Sequence, residues 1–488
     1  MEIKLIIQDE VNIKFVGLPL EARKKIANKF KYQVPYARYH PAYRLGRWDG
    51  AVSLFSIGGE GYISQLETIF GILDSMNIQV TELEDRRNKA DLEFDTIDED
   101  YWTKQGKVWP PGHQAEGKPI LLRDYQVDAI NRFLKNPQAL QELATSSGKT
   151  IITATLSHIC ESIGRTLTIV PNKSLVEQTE EDFLNVGLDV GVYYGDRKDL
   201  YKTHTICTWQ SLEVLNKKTK RHAVDTITLA EFLNGVKAVI VDECHRSQAT
   251  ILRDLLTRNL VNAPIRWGLT GTIPKEPYEY ESIFASIGPV IGGIKAHELQ
   301  EQGVLSNCHV YIKQLLDLVD FRSYPEELKY LVTDPNRIAY ISEFIKQIST
   351  TGNTLVLVDR IATGEMLTGL IKDSVFISGS VKTKDRKKEF DEVNVTNEKV
   401  IIATYGTCAV GINIPRIFNL VLIEAGKSFV RSIQSIGRGL RKAKDKDHVD
   451  IYDFSSTCKY SRKHLLERKR YYTEAKYKFT LEKIDWKK

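Results

Sequence analysis

Cysteine is scarce in this sequence and scattered: Cys160, Cys207, Cys244, Cys308, Cys408 and Cys458, with no C-x-x-C pair among them. Neither a disulfide framework nor a zinc site is implied, and the thiols read as buried or incidental in a reducing compartment. No apolar run approaches the ~20 residues of a membrane span. The start, Met1-Glu-Ile-Lys4, lacks a signal-peptide pattern, so the expectation is a cytoplasmic chain without a membrane partner. Charge of one sign is missing too. Lys and Arg number 68 against 63 Asp and Glu, a net +5. A basic groove for nucleic acid can still coexist with acidic faces at that balance.

What is present is a chain of 488 residues, 42% hydrophobic and 27% charged. That is the composition of a globular protein of about two to four domains. Its organising stretch is Leu143-Ala-Thr-Ser-Ser-Gly-Lys-Thr150, close to the phosphate-binding pattern G-x-x-x-x-G-K-[ST]. Such a loop surrounds nucleotide phosphates with backbone N–H groups and the positive end of a helix. Leu143 stands where the first glycine is expected, so a Ser/Thr-capped helix start is the plain alternative. Thr145, Ser146, Ser147, Gly148, Lys149 and Thr150 are the nucleotide-binding candidates. Lys149 would reach the outer phosphates and the Thr150 hydroxyl would ligate Mg²⁺. Further on, Lys237-Ala-Val-Ile-Val-Asp-Glu-Cys-His245 reads as a buried strand ending in two carboxylates. Asp242 can hold Mg²⁺ there, and Glu243 can polarise an attacking water. Both pieces, in this order, predict an enzyme that hydrolyses a nucleoside triphosphate.

Residues 1–85 read as a small α+β domain. Glu2–Phe15 alternates like strands, and Leu20–Phe30 has helical spacing. The run Tyr36–Gly50 interleaves Arg38, Tyr39, Tyr43, Arg44, Arg47 and Trp48, residues that neutralise phosphates and stack on unpaired bases. An aromatic core with solvated arginines is the alternative. Asp49-Gly50 predicts a hairpin turn between two strand-like runs. Residues 86–118, with an acidic patch at Asp95–Asp100 and Trp109-Pro-Pro-Gly112, read as a linker. A helix opens near Leu121, and the amide of Gln126 is a candidate for reading an adenine edge.

From 119 to 290 short β-branched strands alternate with helices: helix 149–163, then strands Thr166–Val170, Thr203–Thr208, 237–241 and Ile265–Leu269. Residues 213–236 look inserted. After a connection at 291–305 the alternation resumes over 306–455, with strands at Thr354–Val358, Val375–Ile377, Val400–Ala403, Leu420–Ile423 and Val449–Tyr452. This is the pattern of parallel sheets, whose ligands bind at the carboxyl ends of the strands. In Gln434-Ser-Ile-Gly-Arg-Gly-Leu-Arg441, Arg438 and Arg441 lie at i and i+3, on one helical face able to reach one phosphate. Surface arginines paired with Asp445 or Asp447 are the alternative. Residues 456–488 read as a basic tail, either a solvated amphipathic segment or a backbone-tracking surface.

Taken in order over about residues 119–455, these segments resemble the motifs of superfamily 2 helicases. Gln126 resembles the Q motif, 143–150 motif I, 170–178 motif Ia, Asp242-Glu-Cys-His245 a DExH motif II, and Thr270-Gly-Thr272 motif III. Residues 403–415 look like motif V and 434–441 like motif VI. The similarity is nearest to phage recombination helicases of the UvsW type, which share the leucine at the first loop position, a T-W-Q segment and an R-x-G-x-W-D-G element like Arg44–Gly50. DEAD-box RNA helicases fit worse, because Cys-His replaces Ala-Asp and Thr-Gly-Thr replaces Ser-Ala-Thr.

The resemblance implies two RecA-like parallel-sheet lobes after the small N-terminal domain, ATP and Mg²⁺ as cofactors, and branched or forked DNA as partner, in a host cytoplasm if the chain is phage-encoded. It implies catalytic roles for Lys149, Asp242, Glu243, Gln434, Arg438 and Arg441, and nucleotide contacts from Gly411 and Asn413. DNA contacts fall to Pro171, Asn172, Trp209, Gln210, Arg360 and Thr404, beside Arg38, Arg44, Arg47 and Trp48. Two other functions fit the motifs less well: a double-strand translocase that moves without unwinding, and an ATP-switched clamp without motor output.

Overall fold

The structure, a computed structural model, describes residues 2–34, 36–87, 92–113, 115–220, 227–244, 249–379, 396–408, 414–426, 436–437, 439–443 and 445–487. The chain divides into two compact units. One holds Met1–Leu143 with Gly148–Gly293, the other Ala144–Ser147 with Ile294–Lys488.

The first unit is built on an eight-stranded sheet. Its order is Arg197–Lys198, Val190–Tyr194, His204–Thr208, Arg165–Val170, Val236–Asp242, Ile265–Thr270, Gln138–Leu143, Val290–Ile294. The six strands from Val190–Tyr194 to Gln138–Leu143 run parallel. Such strands are covered by helices on both faces, which is why Val190–Tyr194 and His204–Thr208 are buried throughout. Gln138–Leu143 was not legible as a strand, since Gln138, Gln141 and Glu142 interrupt its apolar run. Gln141 is nevertheless fully buried, its amide donating to the Ala129 carbonyl at 2.7 Å.

The second unit holds a seven-stranded sheet: Val375–Ile377, Val400–Thr404, Thr354–Val358, Asn419–Ile423, His448–Ser456, Asn307–Leu315, Lys478–Ile484. Every neighbouring pair is parallel. The two sheets bear out the parallel sheets expected from the strand–helix alternation and are the RecA-like lobes that the resemblance implies. Residues 456–488 correct the reading of a basic tail. Helix Lys459–Glu474 buries Ser461, Leu465, Arg468 and Tyr472, and strand Lys478–Ile484 joins the sheet beside Asn307–Leu315. Arg468, fully buried, donates to both carboxylate oxygens of Asp453 at 2.9 Å, and the Tyr472 hydroxyl adds a bond to the same group.

The N-terminal residues form a separate four-stranded sheet, ordered Glu60–Tyr62, Asn12–Val16, Lys4–Ile7, Glu82–Asp85, against helices Leu20–Lys29 and Leu66–Asp74. This small domain is continuous with the first lobe. Ala285 belongs to its core, Tyr278 packs with Val34 and Ala37, and Asn12 donates to the Thr257 carbonyl at 2.9 Å. The expected hairpin is corrected. Lys31–Gln33 pairs with Ala51–Ser53, while the intervening residues form a short 3₁₀ turn at Ala37–Tyr39 and a helical turn at Pro41–Arg44. Pro41 at the first helical position and His40 capping the Ala42 N–H favour that turn over a strand.

The linker is also more ordered than its composition suggests. Trp102 is fully buried with its indole N–H on the Thr155 hydroxyl, and Ile97 and Asn131 exchange two bonds of 2.9 Å. Among the described residues no helix is long and apolar enough to cross a membrane.

Candidate functional site

The site of the first lobe lies at the carboxyl ends of its parallel strands. After Gln138–Leu143 the chain turns with Ser146 at φ 69° and Gly148 at φ 80°, and Gly148 caps helix Lys149–Ile159. Left-handed backbone at a non-glycine residue is costly, so Ser146 marks a loop shaped by more than local preference. At Gly148 an added Cβ would stand 2.5 Å from Gln126 Nε2. Glycine is thus required both for its conformation and for the approach of the Gln126 amide.

Gln126 is 5% exposed, and its Oε1 accepts from the Arg123 backbone N–H at 2.9 Å. The structure therefore brings it beside the loop. The Oε1 keeps a second lone pair beside that bond.

Lys149 is nearly buried, with its Nζ 3.4 Å from the Leu143 carbonyl and 3.4 Å from Glu243 Oε1. Glu243 sits one residue past strand Val236–Asp242 at φ 49°. Asp242 Oδ1 accepts the Glu243 N–H at 2.8 Å. Lys149, Asp242 and Glu243 are therefore together, as their order in the sequence leads one to expect. Thr150 and Asp242, the residues expected to hold Mg²⁺, offer a hydroxyl and a carboxylate, the hard oxygen donors that ion takes. Next to this strand, Thr270 Oγ1 donates to the Thr272 carbonyl at 2.8 Å and locks the Thr270-Gly-Thr272 turn.

Pro171 and Gln210 meet at the ends of neighbouring strands, the Gln210 amide donating to the Pro171 carbonyl at 3.0 Å. Asn172 caps helix Lys173–Asn185 by accepting the Leu175 N–H at 3.0 Å. Trp209 is only half available, since its ring packs on the lobe core. In the second lobe Arg360 is exposed at the start of helix Ile361–Leu370, and Thr404 Oγ1 lies 2.8 Å from Thr407 Oγ1. His245, Gly411, Asn413, Gln434 and Arg438 lie outside the described residues. Arg441 is described. Its backbone bridges to Leu305, and Asp445, one of the alternative partners considered for it, is engaged by Arg416 at 2.7 Å.

On the N-terminal domain, Arg38, Arg44 and Arg47 are exposed, with Tyr39 61% and Leu45 65% exposed beside them. Trp48 departs from the expectation of a free stacking platform. Its indole N–H donates to the Ala51 carbonyl at 2.7 Å, and its ring packs on the Val34–Ala37–Tyr278 cluster. The sequence pattern gave no sign of one further residue, Lys446. It falls after the motif VI pattern in a run of alternating lysines and aspartates that reads as solvated, yet it is 4% exposed.

Two domain families match the chain. The family described as the res subunit of type III restriction enzymes matches residues 119–275, and the helicase conserved C-terminal domain matches 336–443. Carrying these two domains in this order, the chain resembles the superfamily 2 helicases and is an ATP-dependent helicase enzyme. Among its relatives is the ATP-dependent DNA helicase uvsW of Enterobacteria phage T4, 24% identical over 470 residues, 91% of this chain and 88% of the relative. The DNA 3'-5' helicase XPB of Kineococcus radiotolerans is 24% identical over 378 residues, 75% of this chain and 65% of the relative. In fold the chain is similar to the DNA-bound type ISP restriction-modification enzyme LlaBIII, with TM-score 0.58 and 14% identity over 77% of this chain and 32% of that one.

Proposed function

We propose that the chain is a DNA helicase that hydrolyses ATP to remodel branched DNA, forks and four-way junctions. The observation that carries this reading is the exposed basic and aromatic element Arg38–Arg47, built on the same compact unit as Lys149, Asp242 and Glu243. The kinship with UvsW and XPB-type DNA helicases supports DNA as the substrate. Lys149 holds the outer phosphates of ATP, leaving Glu243 to orient and deprotonate the attacking water. Mg²⁺, held by Thr150 and Asp242, would offset charge on the β- and γ-phosphate oxygens. Arg438 and Arg441 stabilise the charge that develops on the transferred phosphoryl group, a role worth ~10³–10⁵ in rate for such arginines.

Pro171, Asn172, Trp209, Gln210, Arg360 and Thr404 follow the DNA backbone, and Arg38, Arg44 and Arg47 hold a duplex arm. Moving a four-way junction breaks and re-forms equal numbers of base pairs, so ATP supplies direction and speed more than net melting energy.

One assay separates this function from its rivals: strand displacement and ATP turnover on forked, four-way and blunt DNA. Branched substrates should be resolved and blunt duplex left intact. Turnover on blunt duplex with no displacement of any substrate would instead favour a double-strand translocase. Binding without turnover would leave only the clamp.

A further inference from the structure

Lys446 is a charged side chain buried in the second lobe, and its amine is spent wholly on backbone carbonyls. Nζ lies 3.1 Å from the Pro415 oxygen, 2.5 Å from that of Gly439 and 2.9 Å from that of Arg441. Pro415 ends the segment resembling motif V. Gly439 and Arg441 belong to the segment resembling motif VI, where the Leu440 N–H donates to the Ile436 carbonyl at 3.1 Å as in a helical turn. The last carbonyls of a helical turn have no partner within the helix and carry partial negative charge, so a cation there is favourable. A second set of bonds holds the same segment: Ser306 N–H donates to the Leu440 carbonyl at 2.8 Å, and Leu305 bridges to Arg441.

We propose that Lys446 is a positioning residue for ATP hydrolysis, its ammonium fixing the backbone of Arg441 to the Pro415 segment so that the guanidinium is held where phosphoryl transfer needs it. This rests on the role given above to Arg441. The reason an ammonium is required is a count of donors. It has three N–H groups and meets three carbonyls, whereas a neutral amine has two.

Charge around the amine works in both directions. On the elements packed against it, the charged groups among the described residues that act on it are Arg441, which disfavours the ammonium, and Asp445, which favours it; Asp445 is itself engaged by Arg416. Burial is the largest influence and, with Arg441, brings the Lys446 pKa down to about 7. The third hydrogen bond is therefore lost as pH rises through the neutral range.

The test is DNA-stimulated ATP turnover of the full chain from about pH 6 to about pH 9, for wild type, Lys446→Met, Lys446→Arg and Arg441→Ala. Wild type should lose kcat on an alkaline limb near neutrality. K446M should turn over at least ~10-fold more slowly at the acid end, with KM for ATP within ~3-fold and no such limb. K446R keeps a cation that does not titrate in this range and should hold its kcat flat across it. A wild-type kcat that is level through neutral pH overturns the proposal even if K446M fails to fold. So does a folded K446M with wild-type kcat. R441A separates the two layers of the argument: if it hydrolyses ATP at the wild-type rate, the role of Arg441 fails first, whereas an inactive R441A beside a fully active K446M refutes the role of Lys446 alone.

Discussion

Glu243 combines an ion pair to Lys149 with a left-handed backbone at φ 49°. A residue without glycine's freedom held there costs ~1–3 kcal/mol, and such strain concentrates at functional positions. The strand Val236–Asp242, buried over most of its length, delivers it to that place. Glu243→Gln keeps the size and hydrogen-bonding reach of the side chain but removes the base. The variant should bind ATP and hold it unhydrolysed, which a filter-retention assay beside a phosphate-release assay will show. Lys149→Ala removes a group that holds phosphate and none on the DNA track. It should abolish turnover and leave DNA affinity within a few fold. Near wild-type hydrolysis by either variant with DNA present would remove these residues from the site. The meeting of Lys149 with Glu243 was legible in the sequence because the two motifs are recognised by residue type and order along the chain. The bond from Trp48 to Ala51 and the burial of Lys446 were not, because each depends on which neighbours the fold supplies.

At the scale of elements, legibility followed how local the cause of order is. Thr354–Val358 and Val400–Thr404 could be placed from β-branched runs alone. Helix Lys459–Glu474 could not be recognised as structural, since its basic residues look solvated until Arg468 meets Asp453. Both partners of that pair are fully buried. Removing one of them leaves the other charge uncompensated, at ~3–5 kcal/mol. Arg468→Met should therefore destabilise the second lobe by about that amount. Arg468→Met combined with Asp453→Asn should recover a large part of the loss, because no ion is then left unpaired. Chemical unfolding of the wild type, both single variants and the double variant measures the coupling. Strictly additive losses would mean that the pair contributes nothing beyond packing.

At the scale of the molecule, a net charge of only +5 cannot by itself hold DNA, so the affinity has to come from where the arginines stand. Deleting residues 1–85 looks like the direct test of the N-terminal domain. The structure argues against it, since Tyr278 and Ala285 of the first lobe are buried with that domain's apolar residues and the Thr257 carbonyl accepts from Asn12. The truncated chain should lose thermal stability along with function, and a differential scanning measurement would show it. Replacing Arg38, Arg44 and Arg47 with alanine is the cleaner experiment, because all three are exposed. The triple variant should melt with the wild type and retain ATP turnover stimulated by single strands. Its affinity for four-way junctions should fall, and the log–log dependence of that affinity on salt should flatten by ~0.9 for each phosphate of B-form DNA that the variant no longer neutralises. Tyr39→Ala should weaken binding to forks with unpaired bases more than binding to blunt duplex, since stacking is worth ~1–3 kcal/mol per base only where a base is free. If junction affinity and its salt slope are unchanged in the triple variant, the duplex arm is held elsewhere, and the basic face of Lys459–Glu474, with Arg462, Lys463 and Arg470 exposed, is the surface to alter next.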